Sequence, residues 1–115
     1  MESTTVSIVN TIGDVYGVEA EDGQKVFNLI KKAFDNKYKV ILSFLNVEML
    51  TTAFLNTAVG QLYKDYPEDV IKKYLSVSDI SDSGKVSLKR VVDTAKIYYK
   101  DPGALQRSIN DILED

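Results

Sequence analysis

The chain contains no cysteine, no histidine and no tryptophan. Without Cys and His it can form no disulfide, no Cys- or His-ligated zinc site, no thiolate nucleophile and no Ser-His-Asp or Cys-His catalytic pair. An excess of positive charge is missing as well: 14 basic side chains face 17 acidic ones, for a net charge of -3. Its lysines are dispersed. The closest approach to a basic stripe, Lys85, Lys89, Arg90, Lys96 and Lys100, is interleaved with Asp93 and Asp101, which reads as a solvated helix face rather than a nucleic-acid surface. Also lacking is an uninterrupted hydrophobic run of membrane-spanning length. From Val40 to Tyr63 the only charged side chain is Glu48, but Ser43, Asn46, Thr51, Thr52, Asn56 and Gln61 break the block. Met1 to Asn10 has neither the basic nor the apolar region of a secretory leader, so a cytoplasmic location is expected, with no membrane contact. What is present is ordinary globular material: 115 residues, 44% hydrophobic and 27% charged, enough for one domain with a real core.

Periodicity orders the chain into alternating strands and helices. Thr4 to Val9 alternates, with Val6 and Ile8 on one face, and predicts a half-buried strand. Gly13-Asp14 marks a turn, after which Val15-Tyr16 predicts a short returning strand. Val26, Phe27, Ile30, Ala33 and Phe34 recur at helical spacing behind Glu19, Glu21 and Asp22, predicting a helix from about residue 20 to 35 with Asn36 as its left-handed stop. Val40 to Leu45 is continuously apolar except for Ser43, the pattern of a central strand covered on both faces. Thr51 or Thr52 can cap a helix striped by Phe54, Leu55, Ala58, Val59 and Leu62. Pro67 opens a helical turn, and Tyr74 to Ser78 alternates as a strand. Ser81 or Ser83 starts a helix carrying Leu88, Val91, Val92, Ala95 and Tyr98 inward, and Asp101-Pro102 opens a C-terminal helical extension over 100–115. The result is an α/β layered single domain, residues 1–115, with a small mixed or parallel sheet.

The run Phe44-Leu45-Asn46-Val47-Glu48-Met49-Leu50-Thr51-Thr52-Ala53-Phe54-Leu55-Asn56, continuing to Gly60-Gln61-Leu62-Tyr63, resembles the signature of the bacterial STAS-like domain family of unknown function. Ala95-Lys96-Ile97-Tyr98-Tyr99 is similar to the end of that family's last long helix, and Gly23 fits just inside the first. The family is named for its likeness to anti-sigma factor antagonists, in which an Asp-Ser-Ser-Gly segment starts the helix after the central strand and the second Ser is phosphorylated. On this chain Thr51 falls at the Asp, Thr52 at the first Ser, Ala53 at the phosphorylated Ser and Phe54 at the Gly. Ala53 cannot accept phosphate, so only Thr51 or Thr52 offers a hydroxyl there. The resemblance implies a non-enzymatic regulatory or adaptor module in signal transduction, with a protein partner of the kinase-like ATPase kind. Its partner-binding candidates are Asn46, Glu48, Thr51, Thr52, Phe54 and Asn56, and no cofactor is implied. The alternative is a small-ligand or nucleotide binder using backbone amides near Thr51 and Thr52, with weak or no hydrolase activity.

Three further patterns are decoys. Asp79, Ser81, Ser83 and Gly84 follow the first six positions of a calcium loop, but Arg90 stands where a bidentate carboxylate is required, so a helix-capping loop is expected and no metal site. Glu48 is the one acid in the apolar block and has no catalytic partner nearby in sequence, and Gly13-x-x-x-Gly17 lacks the Lys and Ser or Thr of a phosphate loop. Tyr63, Tyr66, Tyr74, Tyr98 and Tyr99 lie at the ends of apolar stripes. They are expected to be half-buried core tyrosines before interface ones.

Overall fold

The computed structural model describes residues 2–100; the helical extension expected beyond Lys100 lies outside the described residues. Strands β1 (Ser3–Ser7), β3 (Lys39–Ser43) and β5 (Leu75–Ser78) form a three-stranded sheet in the order β1-β3-β5, all parallel. Thr4 pairs with Val40 and Val6 with Leu42, while Val40 and Leu42 pair onward with Leu75 and Val77. β3 is therefore central, as its apolar run demands. Val40, Leu42, Ser43 and Phe44 are buried there, but the strand ends at Ser43 and Leu45 is 55% exposed, in a turn rather than in the sheet.

Helix α1 (Ile8–Ile12) begins where the sequence pattern predicts more strand. The reason is Ser7, whose hydroxyl accepts the Asn10 amide at 3.2 Å while its carbonyl accepts the Thr11 hydroxyl at 2.6 Å. An N-cap so close to the sheet turns the chain into a helix and still leaves Ile8 fully buried. The Val15-Tyr16 segment does not return along β1. Strand β2 (Tyr16–Gly17) pairs instead in parallel with β4 (Met49–Leu50), in a separate two-stranded ribbon.

Helix α2 (Ala20–Asp35) covers the predicted span and buries Val26, Phe27, Ile30, Ala33 and Phe34 on one side. Its left-handed stop is Lys37, with φ 67°, and not Asn36, whose φ is -96°. Asn36 bonds the last turn through its side chain, donating to the Lys32 carbonyl at 2.7 Å, and so has no need of the left-handed conformation. The same face of α2 packs against the sheet and against a second helical run formed by α3 (Thr52–Leu55), a π turn (Asn56–Gly60) and α4 (Leu62–Asp65). Within the π turn the Gln61 amide reaches the Asn56 carbonyl at 3.0 Å, and the Gln61 side chain ties the run to α2 by donating to Gln24 Oε1 at 2.9 Å. Phe54, Leu55, Ala58, Val59 and Leu62 are all buried, each large one contributing about 1.5–3 kcal/mol of hydrophobic stabilisation.

Helix α5 (Glu68–Tyr74) follows Pro67, its extended N-cap, and leads into β5. Helix α6 (Asp82–Lys100) is capped by Ser81, which accepts the Gly84 amide at 3.1 Å. The calcium-like stretch is thus a cap followed by helix from Asp82 onward. Val91 and Ala95 are buried, whereas Tyr98, expected to point inward, is 44% exposed. Tyr63, Tyr66 and Tyr74 are half-buried against the core, and Tyr66 meets Phe34 edge-on at 5.2 Å between ring centres. No helix among the described residues is long and apolar enough to cross a membrane.

Candidate functional site

The segment that joins the carboxyl end of β3 to α3 is held in place by short-range chemistry. The Val47 amide bonds the Phe44 carbonyl at 3.0 Å, closing a turn whose third residue, Asn46, has φ 66°. That is the conformation a type II turn requires there, and Asn tolerates it better than most side chains. The Leu45 amide adds a bond to the buried Ser43 hydroxyl at 3.3 Å. Beyond the turn, the Glu48 amide reaches the Val15 carbonyl at 2.8 Å and the Thr51 amide reaches the Gly17 carbonyl at 3.0 Å. Gly17 is needed for this approach: a Cβ on it would lie 3.1 Å from Leu50 and 3.2 Å from the Phe54 ring.

Thr51 is the residue around which the corner is built. Its hydroxyl donates to the Val18 carbonyl at 2.6 Å and accepts the Phe54 amide at 3.2 Å, so one side chain caps α3 and fastens it to the segment after β2. Thr52, Ala53 and Asn56 are exposed on the outer side of the helical run, and Glu48 is exposed on the loop. Phe54 corrects the sequence reading. It is fully buried, packed under the surface it was expected to line, because helical spacing aligns it with Ala58 and Leu62 on the inward stripe.

Asn46, Glu48, Thr52 and Asn56 are thus all exposed, along the loop after β3 and the outer side of the helical run that follows it, with Thr51 half-buried between the two and Phe54 buried. The structure also adds residues that periodicity could not reveal. Leu45 and Met49 are 55% and 53% exposed, and Tyr16, the register partner of Met49, is 48% exposed. Side-by-side placement of Tyr16 and Met49 depends on β2–β4 pairing across more than thirty residues, and no local signal announces it.

A cavity of about 260 Å³ opens between this loop and the start of α6, lined by Phe44, Glu48, Leu50, Ile80, Ser81 and Ser83 among others. It lies at the carboxyl ends of β3 and β5, where parallel sheets commonly present their sites. Its volume falls below the usual 300–1,000 Å³ of small-molecule pockets, and the Glu48 carboxylate opposes an anion there. Among the described residues no group of three His, Cys, Asp or Glu side chains is placed to hold a metal ion.

No curated protein and no solved structure gives a significant match to the chain. One family model does match, over residues 22–85, from the first turn of α2 to the first turn of α6. This stretch is more than half of the chain and contains β3, the anchored loop and the whole helical run after it. The chain belongs to the family described as the STAS-like domain of unknown function (DUF4325).

Proposed function

We propose that the domain is a non-enzymatic regulatory module that works by docking another protein on the corner formed by Asn46 to Leu50 and the start of α3. The observation that supports this reading best is the exposure of large apolar side chains: Leu45 and Met49 on a segment that backbone bonds fasten to Val15 and Gly17, and Tyr16 beside Met49 on β2. An interface needs apolar anchors presented without an ordering cost, ringed by polar groups. Glu48, Thr52 and Asn56 supply the polar ring. The likeness to anti-sigma factor antagonists suggests a kinase-like ATPase as the partner.

Thr52 is the hydroxyl available to a modifying partner, because Thr51 already uses its hydroxyl as both donor and acceptor. A phosphate on Thr52 would add negative charge at a helix start, where backbone amides favour it. The test is affinity capture with quantitative mass spectrometry on wild type, Thr52→Asp and Asn56→Arg, each checked for folding by circular dichroism. A partner held by wild type and lost by both variants is the expected result. A partner indifferent to both changes, or a nucleotide that stabilises the chain in a thermal-shift screen with no protein partner found, refutes it.

A further inference from the structure

β1 is an edge strand. Among the described residues nothing pairs with its outer side, and the alternation of a parallel ladder determines which backbone groups that side presents. The Lys39 amide bonds the Glu2 carbonyl at 3.0 Å, so Glu2, Thr4 and Val6 direct their backbone toward β3 and Ser3, Thr5 and Ser7 direct theirs outward. Proteins commonly blunt such an edge with a charge, a proline or a bulge. β1 reads Ser-Thr-Thr-Val-Ser and carries none of these.

All five residues of β1 line a groove of about 750 Å³ whose other wall comes from α2 and the loop after it. Leu29 and Tyr38 are exposed in that wall, at 43% and 36%, and Ala33 forms part of its floor. The only charged side chain lining the groove is Lys32, which takes part in none of the ion pairs found among the described residues. Exposed Lys37 and Lys39 bracket Tyr38, and among the described residues no carboxylate lines the groove.

We infer that this groove binds an extended acidic-apolar peptide segment of another protein, which joins the sheet as a fourth strand beside β1. Ser3 and Thr5 supply backbone donors and acceptors, and Ser7 adds its amide alone, because its carbonyl is taken by the Thr11 hydroxyl at 2.6 Å. Leu29, Ala33 and Tyr38 receive alternate apolar side chains, and Lys32 attracts an acidic one. A second copy of this chain is the less suitable occupant, because pairing β1 with β1 across a twofold axis sets Lys32 and its equivalent on the same narrow edge. This site shares no residue with the corner formed by the Asn46 loop and α3, and β1 precedes the stretch matched by the family model. The inference therefore stands or falls apart from the proposed function.

The test uses the full chain and a fluorescein-labelled seven-residue peptide alternating valine and aspartate, followed by anisotropy at low ionic strength, with a lysine-for-aspartate peptide as comparison. Saturable binding of the acidic peptide is expected, with the lysine peptide about tenfold weaker or more. Lys32→Glu should weaken the acidic peptide about fivefold. Thr5→Pro removes an outward amide without removing a ladder bond to β3, and should weaken binding about tenfold or more while leaving the melting curve in place. If Thr5→Pro does not fold, Ser3→Pro makes the same test at the next outward amide. Equal binding of both peptides, no binding of either by the folded protein, or full binding by a folded proline variant overturns the inference. So does a dimer in light scattering that Thr5→Pro dissolves, since the occupant is then a second copy.

Discussion

Gly23 is the position at which a single methyl group separates two opposing physical effects. In an exposed helix, replacing Gly by Ala stabilises by about 1 kcal/mol, because alanine loses less backbone freedom on folding. At Gly23 an added Cβ would stand 2.5 Å from the Phe54 carbonyl oxygen, 3.0 Å from Thr57 Cβ and 3.2 Å from the Ala58 amide nitrogen. Two of these three neighbours are backbone atoms and cannot rotate away. To restore even 3.0 Å to the carbonyl, α2 and α3 must separate by 3.0 − 2.5 = 0.5 Å, and a gap of that size forfeits roughly a quarter of the dispersion energy along the contact. Overpacking of this kind costs about 1–3 kcal/mol, with rigid backbone placing Gly23→Ala toward the upper end. Net of helix propensity, the variant should be about 2 kcal/mol less stable than wild type. Gly60 is the control. It is also buried in the helical run, but a Cβ there meets Asn56 and Val91 at 3.6 Å and Ala95 at 3.8 Å, ordinary contact distances. Gly60→Ala should therefore be neutral or stabilising by up to about 1 kcal/mol. Thermal and urea unfolding followed by circular dichroism measures both, and for a chain of this size each kcal/mol moves the midpoint by about 4–8 °C. A Gly23→Ala protein that melts at or above the wild-type midpoint would refute the packing argument.

Three further outcomes are expected. Thr51→Ala removes a cap and the bond to Val18 together and should cost about 1–2 kcal/mol in urea unfolding, Thr51→Ser should recover most of it, and exposed Thr52→Ala should lie within about 0.5 kcal/mol of wild type. Asn46→Gly should leave stability unchanged while Asn46→Val loses about 1–2 kcal/mol, because only the β-branched residue resists φ 66°; equal midpoints would remove the turn argument. Burial and a hydrogen bond to Asp35 at 2.6 Å raise the Tyr66 hydroxyl pKa above its ordinary value. A raised folded-state value gives stability that is complete below pH of about 10 and lost as pH climbs through the folded pKa. Alkaline unfolding of Tyr66→Phe should accordingly begin from lower stability but show a shallower fall above pH of about 10, and an unchanged alkaline slope would contradict the assignment.

Much of this protein follows from local patterns in its sequence. Apolar spacing fits the actual span of α2, because one stripe of a long helix must face the core and its period is unambiguous. The charge-poor block beginning at Val40 identifies the central strand, flanked on both edges, although only its Val40 and Leu42 face is fully covered and Ile41 on the other face is half-buried between exposed Thr5 and Ser76. Proline and the Ser and Thr caps place the starts of α3, α5 and α6 by bonds that span no more than four residues. The absence of Cys and His likewise excludes whole classes of chemistry before any fold is known.

Tertiary structure decided what local rules left open. Ile8 is apolar in a strand or in a helix, and only the end of β1–β3 pairing at Ser7 and Ser43 leaves the Ser7 cap free to turn it into helix. Whether Phe54 faces a partner or the core depends on which side of the helical run α2 covers, and α2 covers it because Gly23 allows the two backbones to meet. The exposed pair of Tyr16 and Met49 exists only once β2 pairs with β4. The open edge of β1 exists only once the strand order is β1-β3-β5. The sequence by itself determined the elements and the chemistry they exclude. Contacts between residues far apart in the chain determined which surfaces remain available for binding, because pairing and packing partners are set by the whole fold and not by any segment's own periodicity.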